Sequence, residues 1–150
     1  MMQTKGKRLT KPFYTRTDVV QISKELLGKY LVTNIDGLIT SGKITETEAY
    51  RAPDDKACHA HNNRRTARTE VMFAEGGRLM FTSAMASIIY LVVTATEDMA
   101  HVLVRAVEPV DNIESMLLRR KMKKLERRLF CRACGDTQPC AGHHDSVDRR

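Results

Sequence analysis

The chain has 150 residues, enough for one domain with a buried core, and is 42% hydrophobic and 29% charged, as in globular proteins. It contains no apolar run long enough to span a bilayer and no secretion signal after its basic start, so we expect a cytoplasmic protein. The net charge of +7 favours a polyanionic partner, nucleic acid before membrane, although composition alone is equally compatible with a basic protein that binds neither.

The first third of the chain predicts a helix followed by a β-hairpin. Thr17 or Asp18 is a suitable cap for a helix that starts near Val19 and ends before Gly28, because apolar residues recur there at helical spacing. Residues 30–34 read as a strand. The pair Asp36-Gly37 is typical of a tight hairpin turn, so residues 38–50 are predicted to form the returning strand.

The remaining sequence predicts fewer regular elements. Residues 51–69 are polar and irregular, which predicts a loop, and residues 71–73 form a short apolar piece closed by two glycines. Residues 79–94 are almost continuously apolar with little periodicity. We predict a strand over 101–107 that Pro109 ends, and a basic helix over 113–129. From Phe130 the composition changes to Cys, Gly, Asp, His and Arg.

Potential catalytic side chains begin at the end of the returning strand. Glu46, Glu48 and Tyr50 occupy alternate positions and would share one face of a strand. Two alternating carboxylates alone are more typical of a solvated strand edge. Here, however, His59 and an arginine-rich segment follow closely. A carboxylate, an aromatic ring, a histidine and a basic loop are the groups that excision of a base from DNA requires.

Several motifs occur in the order and spacing of one family: L-G-K with L-V, G-K-I-T-E-T-E-A-Y, an Asp-Ala-His region, R-T-x-R and V-L-V-R-A-V-E-P. Over about residues 12–128 the chain resembles the alkyladenine (3-methyladenine) DNA glycosylases. The resemblance implies a mixed α/β domain with a curved, mainly antiparallel sheet flanked by helices, like the C-terminal domain of formyltransferases. We expect a glycosylase-like domain over residues 1–129, incomplete at its C-terminus, and an aberrant, unstructured tail over residues 130–150.

The resemblance also assigns roles to individual residues. Glu48 matches the general base that activates the attacking water, and Arg105 matches the arginine that holds this carboxylate and water. Tyr50 and His59 match residues that contact the flipped base. Ordinary strand packing, a loop histidine and an ion pair between Arg105 and Glu108 are the alternatives for these side chains.

The implied reaction is hydrolysis of the N-glycosidic bond of alkylated or deaminated purines in double-stranded DNA. Water attack needs no amine nucleophile, so an abasic site without strand cleavage is the expected product. We expect a monomer that acts at the bacterial nucleoid without metal or cofactor and without membrane binding. The basic loop residues predicted to contact DNA are Arg64, Arg65 and Arg68.

One segment departs from the family pattern. The family hairpin has the form A-Y-V-Y-L-x-Y-G-x-H-x-x-x-N, with a wedge tyrosine that fills the gap left by the flipped nucleotide, whereas residues 79–91 lack both the wedge and the asparagine. Met85 or Ile88 would have to serve instead. We hypothesise a shifted reading frame, because codons chosen for residues 78–91 encode A-Y-V-Y-L-C-Y-G-I-H-H-L-F two bases along. Residues 132–150 can be back-translated so that a one-base offset gives sequence like the family's continuation after its basic helix.

The unusual tail permits a different interpretation. Cys131, Cys134 and Cys140 with His143 or His144 could bind zinc, although the second gap is shorter than in most structural zinc sites. Otherwise the cysteines are expected to be reduced thiols. Two alternatives to an active glycosylase therefore remain: a non-catalytic DNA-binding relic of the family, and a small zinc-dependent nucleic-acid module. The basic run over 119–128 fits a solvated helix face and phosphate contacts equally well.

Overall fold

A five-stranded antiparallel sheet forms the centre of the computed structural model, which describes residues 6–51, 54–67, 69–77, 79–84, 88–94, 100–119 and 121–125. The strands lie in the order β1-β2-β5-β4-β3. Their bounds are Tyr30–Ile35, Leu38–Tyr50, Leu79–Ala84, Ile88–Thr94 and His101–Asp111 for β1 to β5. The helices α1, α2 and α3 span Lys11–Tyr14, Val19–Leu26 and Ile113–Arg119. This architecture confirms the predicted mixed α/β class with a mainly antiparallel sheet.

The predicted helix α2 supplies one side of the main core. Asp18 caps it, since its side chain accepts a hydrogen bond of 2.9 Å from the backbone N–H of Gln21. Beyond the helix, Gly28 adopts a positive φ of 77° and donates a backbone hydrogen bond to Ile44. Apolar residues at helical spacing on α2 pack on the sheet, and the buried members of this cluster are Val19, Ile22, Leu26, Ile44, Ala100, Val102 and Val104.

The predicted hairpin between β1 and β2 is present. Asp36 and Gly37 both have positive φ, 54° and 76°, as a two-residue type I′ turn requires. The turn pairs Ile35 with Leu38 and continues the ladder to Tyr30 opposite Lys43. Local turn chemistry thus sets the register of the two strands.

An irregularity between β2 and β5 decides which side chains face α2. Thr45 and Arg105 have no partner in the ladder, whereas Ile44 pairs with Val107 and Glu46 with Ala106. A regular strand would place Ile44 and Thr47 on opposite faces. Because of this double bulge, both face α2: Ile44 lies in the core, and Thr47 exchanges hydrogen bonds with Ser23.

The structure corrects two predicted boundaries and adds elements. Pro109 does not end β5, which continues to Asp111, because Pro109 pairs with Gly42 where the register shifts and a missing N–H is tolerated. Helix α3 ends at Arg119 instead of continuing to 129, and Lys121 has a left-handed φ of 53°. Helix α1 and the paired strands β3 and β4 were not predicted from the sequence. Residues 126–150, including the expected tail, lie outside the described residues.

Candidate active site

A carboxylate held from two sides lies near the end of β2. The guanidinium of Arg105 donates from Nη1 to Oε1 of Glu48 at 2.6 Å. The hydroxyl of Tyr50 donates to the other oxygen, Oε2, also at 2.6 Å. The distances are those of charge-assisted hydrogen bonds, so the carboxylate is held in a defined orientation. Arg105 therefore pairs with Glu48, and the alternative ion pair with Glu108 is wrong.

Burial differs across this pair. The Arg105 side chain is 12% exposed, whereas that of Glu48 is 32% exposed. The carboxylate thus has access to solvent, while the cation is largely enclosed. The Nε of Arg105 is buried and has no hydrogen-bond partner among the described residues, so one donor of the guanidinium is left unsatisfied.

The double bulge positions both members of the pair. Arg105 is the residue of β5 that drops out of the ladder at this bulge, and such a residue is released from regular pairing so that its side chain can be redirected. Past the bulge, Thr47 and Ala49 face α2, which leaves Glu48 and Tyr50 on the opposite face. The same irregularity therefore keeps the Glu48 carboxylate out of the main core and places the Arg105 guanidinium beside this carboxylate.

The ring of Tyr50 stacks on a second ring, which the sequence patterns did not indicate. His101, directly opposite Tyr50 in the β2–β5 register, is 4% exposed, and the two ring centroids are 5.1 Å apart with an interplanar angle of 12°. No sequence motif indicated His101, because its role depends on strand pairing. Alternation along β5 from Arg105 back to residue 101 would have been the only available clue.

The environment of Tyr50 favours its neutral phenol. Burial raises the pKa of Tyr50 far above its ordinary value of 10.0, and the hydrogen bond to the Glu48 carboxylate raises it further. The hydroxyl consequently stays protonated at neutral pH and acts as a donor to Glu48. The Glu48 carboxylate is the acceptor in this hydrogen bond.

The loop that follows β2 packs directly beside this cluster. Cys58, Ala60 and Met72 form a small buried core against which Tyr50 and Phe73 pack. Hydrogen bonds order the loop further; for example, the Thr69 hydroxyl donates to the carbonyl of Arg64 at 2.9 Å. The segment predicted as an irregular loop therefore has a small core and internal hydrogen bonds of its own. Two short 3-10 helices occur in and directly after it, over His61–Asn63 and Glu70–Phe73.

His59 lies in this loop and lines an open pocket of about 600 Å³. The described lining is mainly polar or basic and includes no carboxylate: Lys56, Cys58, His59, His61, Asn62, Arg64, Thr66 and Thr69. Cys58 belongs both to this lining and to the small core against which Tyr50 packs, so this small core connects the pocket with the carboxylate cluster. Glu48, Tyr50 and Arg105 thus form one cluster, with His59 in the neighbouring pocket. The catalytic and base-contact roles assigned to these four residues remain predictions.

The three arginines predicted to contact DNA differ in their surroundings. Arg64 is exposed and lines the loop pocket. Arg65 forms a two-pronged ion pair with Glu70, and its guanidinium lies 5.0 Å from the centre of the Phe73 ring. Arg68 lies outside the described residues. Arg64 is consequently the better placed of the two described arginines for a phosphate, since an internal carboxylate already neutralises Arg65.

The remaining predictions concern metal binding, the wedge residue and membrane binding. No group of three or more histidine, cysteine or acidic side chains within the described ranges could hold a metal ion. Cys131, Cys134 and Cys140, the proposed zinc ligands, fall outside those ranges, as does the wedge candidate Met85. Where the structure describes the chain, none of its helices has the length and apolarity needed to cross a membrane.

The fold and the cluster define a single-domain α/β protein with a carboxylate-centred site at a bulged strand pair. A family model described as methylpurine-DNA glycosylase matches residues 12–140, and the chain belongs to this family. Relatives provisionally named 3-methyladenine DNA glycosylase occur in Chlamydia abortus, Clostridium botulinum and Chlamydia felis. Their identities to this chain are 41% over 129 residues, 46% over 120 and 41% over 129.

The matches cover most of this chain but less of the relatives. They include 85%, 79% and 85% of this chain, and 68%, 59% and 66% of the three relatives in the same order. The chain therefore spans roughly three fifths to two thirds of the length of the curated relatives it matches. The similarity that shows the family therefore leaves about a third or more of each relative without a match in this chain.

Proposed function

We propose that this protein is a monofunctional DNA glycosylase that removes an alkylated or deaminated purine from double-stranded DNA. Glu48 activates a water molecule, which attacks the anomeric carbon of the damaged nucleotide as the N-glycosidic bond breaks. Glu48 takes a proton from the water and later releases it to solvent, while the electrons of the broken bond leave with the base. A cationic alkylated purine therefore departs as a neutral molecule, whereas a neutral deaminated purine takes up a proton as it leaves. The products are a free base and an abasic site on an intact strand.

The carboxylate cluster carries this proposal. An ionised carboxylate has about four lone-pair directions, of which the described contacts use two, so Glu48 can still accept from a water molecule. Arg105 and Tyr50 hold the two oxygens, which keeps the base oriented before substrate binds. Preorganisation of this kind avoids reorienting the catalytic group during the reaction.

A flipped nucleotide requires compensation for its lost stacking. Extrusion costs a few kcal/mol, and stacking on an aromatic side chain returns about 1–3 kcal/mol per base. Tyr50 is the described aromatic residue next to the carboxylate and is the proposed platform for the purine. His59, in the adjoining loop pocket, is proposed to contact the base from the other side once DNA is bound.

Charge supports DNA as the partner. The chain carries a net charge of +7, and the loop pocket beside the cluster presents Lys56 and Arg64 without a carboxylate in its described lining. Phosphate contacts through such groups release counterions, so binding should weaken steeply with salt. We propose that these groups position the duplex while Glu48 and Tyr50 act on the lesion.

An excision assay on duplexes that contain hypoxanthine or an alkylated adenine tests the function. Wild-type protein should generate abasic sites, detected by alkaline cleavage, and Glu48→Gln should reduce the rate by at least about a hundredfold, the lower range for a general base. DNA binding, measured by fluorescence anisotropy, should persist. Glu46→Gln is the matched control on the same strand and should leave excision unchanged. Equal rates for wild type and Glu48→Gln would refute the assignment of the base.

A non-catalytic DNA-binding relic is the second candidate. Residues 79–91 lack the Tyr-Gly wedge that the family resemblance implies, and without a wedge the extruded state is poorly supported. In this case the same assay would show salt-dependent DNA binding without abasic product. Excision by wild-type protein would exclude the relic.

A further inference from the structure

His101 is a buried polar ring that the proposed mechanism has not used. It begins β5 directly opposite Tyr50, only 4% of it is exposed, and it stacks on Tyr50 with nearly parallel planes. Polar side chains that are so thoroughly buried are costly unless their surroundings compensate. Its pair with Tyr50 lies two residue pairs along the ladder from the pair of Glu48 with Leu103, which connects it to the carboxylate cluster.

The contacts of Tyr50 explain what such a ring can do. The hydroxyl of Tyr50 is fixed on Glu48, but the oxygen lies on the axis about which the phenol ring rotates. The hydrogen bond therefore fixes the end of the side chain without fixing the plane of the ring. A parallel neighbour with an interplanar angle of 12° restricts this rotation, because turning the phenol would drive its edge into the imidazole.

We propose that His101 is a positioning residue that holds the plane of the Tyr50 ring and so prepares the platform on which the extruded purine stacks. This proposal rests on the proposed glycosylase function. It assigns no proton transfer to His101 and no contact with the reacting atoms. His101 acts through Tyr50. The property of His101 that holds the Tyr50 ring is its flat ring, more than its volume or its hydrogen bonding.

Three substitutions separate these properties. His101→Phe keeps a planar ring of similar outline, His101→Leu keeps apolar volume without a plane, and His101→Gln keeps polarity without a ring. Stacked aromatic pairs contribute about 0.5–1.5 kcal/mol beyond simple burial, which corresponds to about a two- to tenfold change in an equilibrium or rate. Effects of this size are expected for Leu and Gln and should be absent or small for Phe.

The first measurement needs no DNA. In protein with isotopically labelled tyrosine, NMR line shapes report how fast the Tyr50 ring flips, and Tyr50→Phe identifies its signals. His101→Leu and His101→Gln should accelerate flipping by about two- to tenfold, and His101→Phe should restore the wild-type rate. An unchanged flip rate in His101→Leu, or full restoration by Gln and not Phe, would overturn the positioning role.

The second measurement joins ring orientation to function. Single-turnover excision from a lesion duplex measures affinity and maximal rate separately. In His101→Leu the protein concentration that gives half the maximal rate should rise about two- to tenfold, while the maximal rate stays close to that of wild type. His101→Phe should restore the affinity. A maximal rate that falls in the variants whose Tyr50 ring flips faster, with affinity unchanged, would overturn the platform role. If wild-type protein excises nothing, the glycosylase function fails, and with it the platform role. The flip rates then still decide whether His101 holds the ring.

Discussion

Breaking the ion pair between Glu48 and Arg105 should have unequal consequences for stability. Glu48→Gln removes the charge that balances a cation only 12% exposed, whereas Arg105→Met leaves a carboxylate that is 32% exposed and still accepts from Tyr50. Loss of one partner of a fully buried pair costs about 3–5 kcal/mol, and solvent access and the remaining amide reduce this to about 2–3 kcal/mol for Glu48→Gln. For Arg105→Met, whose partner stays hydrated, about 1–2 kcal/mol is expected.

The double variant makes the prediction sharper. With both charges gone, no ion is left unpaired, so the combined cost should be about 1–2 kcal/mol, well below the sum of the single costs. Urea unfolding followed by far-UV circular dichroism measures all four free energies, and equal slopes in denaturant would show that the comparison is valid. Additive costs, or a larger cost for Arg105→Met than for Glu48→Gln, would refute the argument from burial.

Three further predictions concern other features of the molecule. Because the folded-state pKa of Tyr50 is raised above its unfolded value of 10.0, its stabilising contribution is present below pH 10 and is lost as the pH rises above it. Tyr50→Phe should therefore flatten the alkaline decline of unfolding free energy, and identical slopes would contradict this. Gly42→Ala should lower the free energy of unfolding in urea by about 1–2 kcal/mol, because the added Cβ would lie 3.1 Å from Val107 on the paired strand. An unchanged free energy of unfolding would mean that the two strands move apart at little cost. Sequencing the gene across codons 78–91 should show that a second reading frame, two bases along, encodes the family's Tyr-Gly hairpin. If that frame does not encode the hairpin, the frameshift hypothesis is rejected.

Local sequence determined the first half of the fold. Asp18 and the apolar spacing of α2 specify a capped amphipathic helix, and Asp36-Gly37 specifies the turn and register of the first hairpin. Each of these features depends on interactions among residues close in sequence. The alternation of Glu48 and Tyr50 likewise follows from strand geometry once β2 is recognised.

Only the tertiary structure decided how the site is assembled. Arg105 lies 57 residues from Glu48, and the unpaired Thr45 and Arg105 that bring the two together depend on how β2 and β5 pair. The stack of His101 on Tyr50 has the same origin. Periodicity and motifs describe one strand at a time, whereas register and bulges arise from a balance of hydrogen bonds and packing between strands. The sequence by itself therefore determined which groups this protein carries, and the pairing of distant strands decided which of them meet.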